Sequence, residues 1–276
     1  MKNVKPLLKW VGGKRQLLPE IKDALPAAGF KRYFEPFVGG GAVLFELTPQ
    51  HASVNDLNTE LITVYEEVRD HVDELIALLA TYPNEADFFY EMRGLDREPG
   101  FAKLTRVERA ARTIYLNKTC YNGLYRVNNA GQFNAPFGRY ANPAICDEPT
   151  LRAVSEYLNA SDVEFHTGDY AAILDSAREG DFVYFDPPYD PVNPTSNFTG
   201  YQSGGFGHGD QVRLKETCDA LNSRGVKFLL SNSATDFIKE LYGEYRVDIV
   251  GATRAVNSVA SKRGKVDEVL VRNYGR

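Results

Sequence analysis

Histidine and cysteine are scarce in this chain, with four and three among 276 residues. His51, His71, His166 and His208 show no metal-ligand spacing, so no metal site is expected. Cys120, Cys146 and Cys218 are odd in number, widely spaced and without a C-x-x-C pair. That pattern argues against a disulfide framework and for free thiols in a reducing cytoplasm. No stretch approaches the roughly 18 consecutive apolar residues of a membrane span. Met1 to Lys5 has no long apolar run behind it, so neither a signal peptide nor an anchor is expected. Two phosphate-binding signatures are also incomplete. Gly12-Gly13-Lys14 lacks the longer glycine spacing of a Walker loop, and Arg15 stands where that loop has Ser or Thr. Gly39 and Gly41 fit the first two positions of G-x-G-x-x-G, but Leu44 occupies the third, which weakens a nicotinamide cofactor.

An apolar content of 43% is ample for a core, in one large domain or in one that carries an insertion. A net charge of −5 does not suggest a nucleic-acid partner, but the charge is unevenly spread. Between Phe101 and Tyr140, seven basic residues (Lys103, Arg106, Arg109, Arg112, Lys118, Arg126, Arg139) stand against one acidic residue, Glu108. Between Leu61 and Gly100 the balance reverses, ten acidic to three basic. Such a basic stretch is compatible with phosphate binding, and it also describes many solvated helix faces.

The richest stretch chemically is Asp186-Pro187-Pro188-Tyr189, at the end of the apolar run Phe182-Val183-Tyr184-Phe185. The run predicts a buried strand, which the two prolines stop. Proline fixes its own φ and donates no backbone hydrogen bond, so carbonyls and side chains are held stiffly there. In open α/β sheets, ligands bind at the carboxyl ends of strands. The Asp186 carboxylate and the Pro187 carbonyl can accept both hydrogens of an NH2 group while the Tyr189 ring stacks on its plane. An ordinary strand-to-turn transition uses the same residue types.

Tyr33 to Phe45 reads as strand, glycine turn and helix, and Gly39-Gly40-Gly41 lets the backbone approach a ligand closely. Ser53-Val54-Asn55-Asp56 ends a short strand with a carboxylate suited to both hydroxyls of a ribose. Together they point to an adenosine-type cofactor. Val163 to His166 resumes the strand pattern before Gly168-Asp169. Asp169 suits either the amino group of a cofactor adenine or the N-cap of a helix over Tyr170 to Ala177.

Elsewhere, Leu17, Leu18, Ile21 and Leu25 predict a helix ending near Pro26. One helical period runs from Leu57 to about Leu79, followed by a polar, acidic segment. Thr105-x-x-Glu108 is a capping box that opens a second helix. Gly123 to Asn128, a turn at Asn129-Ala130-Gly131, and Gln132 to Tyr140 predict a hairpin. It gathers Tyr121, Asn122, Arg126, Arg139 and Tyr140, residue types that read or wedge bases, although such hairpins are commonly packed surface elements. Asp190 to Gly209 reads as a long binding loop or lid. A helix over Asp210 to Ser223, a strand over Val226 to Leu230, a helix near Ala234 to Leu241 and strands over Tyr245 to Val250 and Asp267 to Arg272 complete the pattern. Arg254 to Lys265 reads as a mobile basic loop.

Six motifs now stand in order: Lys9 to Lys14, Glu35 to Gly41, Asn55-Asp56, Asn122 to Asn128, Pro136 to Tyr140 and Asp186 to Tyr189. Over nearly its whole length the chain resembles Dam-type DNA adenine-N6 methyltransferases of the α order, nearest to restriction-system members that methylate GATC. The resemblance implies an α/β fold, a Rossmann-like methyltransferase sheet, mostly parallel with one antiparallel strand, that carries an inserted helical and β-hairpin recognition domain. Residues 1–57 and 151–276 are then the catalytic domain and 58–150 the insertion. The implied donor is S-adenosyl-L-methionine, leaving S-adenosyl-L-homocysteine. Its implied site is Trp10, Gly12, Lys14, Phe37, Gly39, Gly40, Gly41, Asp56, Phe165, Asp169 and Asp186. The implied catalytic residues are Asp186, Pro187, Pro188 and Tyr189. By the same carry-over Arg126 reads a guanine, helped by Lys9, Asn122, Leu124, Pro136 and Tyr140, with Arg139 beside them. Tyr121 fills the gap left by an extruded base. Double-stranded DNA is the expected partner, a cognate restriction endonuclease the functional counterpart, a monomer the assembly and the cytoplasm the setting.

Three rival readings are weaker. A methyltransferase acting on RNA or on a protein glutamine would share the glycine turn and proline motif without needing the basic hairpin. A DNA-binding regulator would need only the hairpin. A nicotinamide oxidoreductase is disfavoured by Leu44 and by the absence of a hydride-handling histidine.

Overall fold

The computed structural model describes residues 4–10, 12–192, 205–253 and 265–275. Among the described residues, seven strands form one sheet: β1 (Tyr33–Glu35), β2 (His51–Asp56), β3 (Asp162–Thr167), β4 (Phe182–Phe185), β5 (Lys227–Ser233), β6 (Arg246–Thr253) and β7 (Lys265–Arg272). Their spatial order is β3-β2-β1-β4-β5-β7-β6. The first five are parallel, and β7 runs against both its neighbours. The mixed α/β sheet with a single reversed strand is as expected.

β4 shows why the apolar run is continuous rather than alternating. All four of its residues are buried, Phe182 and Tyr184 in one core and Val183 and Phe185 in another. A parallel strand with helices on both faces has no solvent side. One face is covered by α1 (Leu18–Ala24), α2 (Ala42–Leu47), α3 (Thr59–Asp70) and α7 (Glu148–Ala160), the other by α8 (His208–Ser223) and α9 (Asp236–Leu241). The chain order reverses between β1 and β4, where Tyr33 lies opposite Phe182 and Phe34 opposite Val183. At such a switch point the two strand ends diverge and leave a crevice. Here the glycine turn and the Asp-Pro-Pro-Tyr corner emerge side by side.

The remaining helices are α4 (Val72–Leu79), α5 (Ala86–Gly94) and α6 (Arg106–Thr119). The expected single helix after Leu57 is two, because His71 leaves the helical region (φ −135°, ψ 38°) between α3 and α4. The acidic segment hides α5, which buries Phe89 and Met92. The sequence pattern also passed over α7, capped by Asp147 at the Thr150 backbone N–H. α6 opens on the expected capping box of Thr105 and Glu108. The predicted hairpin is irregular, with isolated bridges between Val127 and Phe133 and between Cys120 and Phe137 in place of a continuous ladder. Its turn is as read, with Gly131 at φ 76°. α3 packs on β2 and β3 as well as on α6, so one core continues from the sheet into these helices. Much of the long loop after Asp190 and the basic loop after Thr253 lies outside the described residues. Among the described residues, no helix is long and apolar enough to cross a membrane.

Candidate active site

The corner after β4 is held by four separate parts of the chain. Lys14 reaches in from the first turn of the chain, its Nζ 2.7 Å from Asp186 Oδ1 and donating to the Gly12 carbonyl at 2.7 Å. The same ammonium lies 4.4 Å from the centre of the Tyr189 ring. From the neighbouring strand β5, Ser231 Oγ stands 3.3 Å from Asp186 Oδ1 and 3.0 Å from the Tyr184 hydroxyl. Beyond the prolines, Gln211 of α8 donates to the Pro188 carbonyl and Asn232 accepts from the Asp190 N–H. The Tyr189 hydroxyl donates to Glu268 Oε2 on β7 at 2.9 Å. Pro187 keeps its carbonyl without a hydrogen bond among the described residues.

The charges of this corner are mostly buried. Burial raises the Asp186 pKa, against the lowering effect of the Lys14 ammonium. Glu35, at the end of β1 and 2% exposed, accepts from the Tyr33 hydroxyl at 2.9 Å. Burial drives its carboxyl well above the usual range, only partly offset by that bond.

The glycine turn lies next to this corner. A Cβ on Gly39, whose φ is 46°, would stand 2.9 Å from Trp10 Cδ1, so the tryptophan sits directly on the bare backbone. Gly40 and Gly41 lead from there into α2. The Gly39 N–H donates to Asp56 Oδ2 at 3.0 Å, and the Asn58 N–H to Oδ1 at 2.8 Å. Burial pushes Asp56 up to about 6 in spite of these two bonds. Tyr65 donates to the Gly39 carbonyl and stacks on Phe165, with centroids 5.8 Å apart. Phe37 packs against Tyr170 and Phe206. Asp169 lies further out, accepting from both terminal guanidinium nitrogens of Arg213, Nη1 and Nη2, and from the Ala171 N–H.

A second cluster adjoins the first through residues 9 and 10. Asn117 of α6 grips both backbone groups of Lys9, accepting from its N–H at 3.0 Å and donating to its carbonyl at 2.8 Å. The Lys9 ammonium lies 5.5 Å over the Tyr140 ring, and Trp10 stacks on Tyr125 at 4.9 Å. Tyr121 is 58% exposed, and Asn122, Arg126, Pro136 and Arg139 are exposed around it. Leu124 is half-buried, its N–H donating to the Tyr121 carbonyl. Among the described residues only Thr48, Asn122 and Arg139 are non-glycines with positive φ, and two of these three belong to this cluster. Unusual backbone of that kind concentrates where function demands it. Arg126 donates to the Asn134 side chain and carbonyl. Asp96, in the segment after α5, accepts from the Phe133 N–H at 2.7 Å and from Arg112 at 2.9 Å, which anchors the return arm.

Residues 10–256 match the family described as D12 class N6 adenine-specific DNA methyltransferase. The chain belongs to this family. It is 45% identical to the Type II methyltransferase M1.LlaDCHI of Lactococcus lactis subsp. cremoris, over 99% of this chain and 96% of that protein. It is 42% identical to the Type II methyltransferase M.MjaIII of Methanocaldococcus jannaschii, over 98% and 99%. The DNA adenine methylase of Escherichia coli K12 is 34% identical over 98% and 95%.

In this adenine-specific DNA methyltransferase, the structure brings Gly12, Lys14, Asp186 and Tyr189 together at one corner. Trp10, Gly39 and Asp56 form an adjoining cradle. Asp169 pairs with Arg213 and accepts from the Ala171 N–H, just before the short 3-10 turn Ala172–Leu174, whose N-cap is Ala171 without a side-chain bond. The basic stretch needs correction. Arg106 pairs with Glu66 and Glu67, Arg109 with Glu60, and Arg112 with Asp96, so three of the seven cations tie α6 to its neighbours. Sequence reasoning missed Ser231, Glu268, Glu35 and Asn117. One signal was available: the polar run Ser231-Asn232-Ser233 closes an apolar strand beside β4.

Proposed function

We propose that the enzyme transfers a methyl group from S-adenosylmethionine to N6 of adenine in double-stranded DNA, in GATC, on a base swung out of the helix. The carrying observation is the Asp186 carboxylate, fixed beside the Pro187 carbonyl and the Tyr189 ring. The cradle residues fit the cofactor: a backbone that Trp10 closes upon, a half-buried carboxylate for ribose hydroxyls, and the apolar Leu57, 55% exposed, beside it. When bound, S-adenosylmethionine supplies an electrophilic methyl on a sulfonium sulfur.

The chain's own residues deal with the poor nucleophile. The lone pair of the adenine amine is delocalised into its ring. Hydrogen bonds from its two N–H groups to Asp186 and Pro187 favour the pyramidal nitrogen that attacks in line. Reaching that amine requires extrusion at a cost of roughly a few kcal/mol, and stacking on Tyr189 returns about 1–3 kcal/mol. The reading assigns site recognition to 58–150 with Lys9, Arg126 reading a guanine and Tyr121 entering the gap. The relatives named as Type II methyltransferases support a role beside a cognate endonuclease.

The experiment is methyl transfer from labelled donor to duplexes that carry GATC or a single-base change, followed by mapping of the modified base. Label on N6 of the GATC adenine is expected, with transfer lost in Asp186→Ala. Substantial turnover by that variant would remove Asp186 from the role, and equal labelling of changed duplexes would remove GATC.

A further inference from the structure

We infer that Glu268 is a positioning residue for methyl transfer, holding the Tyr189 ring by its hydroxyl and setting a second carboxylate behind the surface on which the target adenine stacks. The inference rests on the stacking of that base on Tyr189. Glu268 comes from the one reversed strand, level with Ser233 of β5 and Val250 of β6, and is 8% exposed. Its Oε2 accepts from the Tyr189 hydroxyl at 2.9 Å, and its charge raises the pKa of Asp186. A phenol that donates to a carboxylate gains electron density, so its ring face favours positive charge. The Lys14 ammonium 4.4 Å from the ring centre already responds to that face.

The reaction moves charge in the direction this arrangement favours. The N6 lone pair forms the new N–CH3 bond, the S–CH3 pair stays on sulfur, and N6 then releases one proton to water. Positive charge therefore passes from sulfur to the base before that proton leaves. Groups fixed in advance toward developing charge act more strongly in a water-poor site than in solution. Glu268 would otherwise only satisfy a buried hydroxyl, and a neutral amide of the same shape would serve that purpose equally well.

Glu268→Gln, Tyr189→Phe and the double variant are compared with wild type in single-turnover methylation of a GATC duplex. Extrusion is followed separately by the fluorescence of 2-aminopurine placed at the target position. Glu268→Gln should slow methylation about ten- to hundredfold, with KM for DNA and extrusion nearly unchanged. Tyr189→Phe should slow it comparably, and the double variant no further, because both act through one bond. A wild-type rate in Glu268→Gln, or single effects that multiply in the double variant, would overturn the inference. Should Glu268→Gln fail to fold, Tyr189→Phe decides alone, an unchanged rate being the negative result. Tyr189→Ala separates the two levels: full rate and extrusion there would sink the stacking itself, whereas an inactive Tyr189→Ala beside a fully active Glu268→Gln would sink only the role of Glu268.

Discussion

Replacing Lys14 by methionine keeps the stem and removes the ammonium. The lost contact is 2.7 Å long, between side chains 7% and 20% exposed. Removing one partner of a buried pair costs about 3–5 kcal/mol, and the partial exposure of Asp186 puts this pair near about 3 kcal/mol. For a chain of this size that lowers Tm by about 6–12 °C. The loss depends on pH with a definite sign. Burial raises the Asp186 pKa and Lys14 opposes the rise, so the variant's carboxyl moves up further. An acid whose folded pKa exceeds its unfolded one loses stability as pH rises from the unfolded value through the folded one. Calorimetry should therefore find a smaller Tm deficit at about pH 5 than at about pH 8. Catalysis should respond in the opposite sense, since only the ionised carboxylate accepts freely from the amine. The acid limb of the single-turnover pH profile should move to higher pH. Equal Tm deficits at both pH values, or an unmoved limb, would refute the coupling.

Asp56 is pushed up to about 6 by burial, and ribose hydroxyls donate to its ionised form. Titration calorimetry should find S-adenosylmethionine binding weaker as pH falls through about 6, with the dependence flattened in Asp56→Asn; constant affinity across that range would take Asp56 out of the cradle. Arg109 pairs with Glu60 of α3, so Arg109→Ala should cost about 1 kcal/mol of stability and leave the salt dependence of DNA binding alone. Arg139→Ala should reduce the slope of log K against log salt by about 0.9 and barely touch stability. A reduced slope in Arg109→Ala would return that cation to the DNA face.

β4 was legible because its chemistry is local: four buried apolar residues, then two prolines that end the ladder. α6 was legible for the same reason, its cap being written within four residues. The partners of the corner were not, because sheet register decides them. Ser231 meets Asp186 across 45 positions and Glu268 meets Tyr189 across 79, and neither spacing carries a periodic signal. Composition misled in two places. Acidic residues masked Phe89 and Met92 of α5, and counting cations could not reveal that Arg106, Arg109 and Arg112 already face carboxylates.

Five positions separate the lysine clamped by Asn117 from the lysine bonded to Asp186. Even stretched out, such a span covers only about 16–18 Å. Whatever tugs at one end is felt at the other through covalent chain. On the proposed function, a duplex with the wrong letter need not be refused at the door. It can be admitted and still fail, because an ill-seated Lys9 leaves the acceptor carboxylate without its counter-charge in place, and discrimination then shows in turnover rather than in affinity.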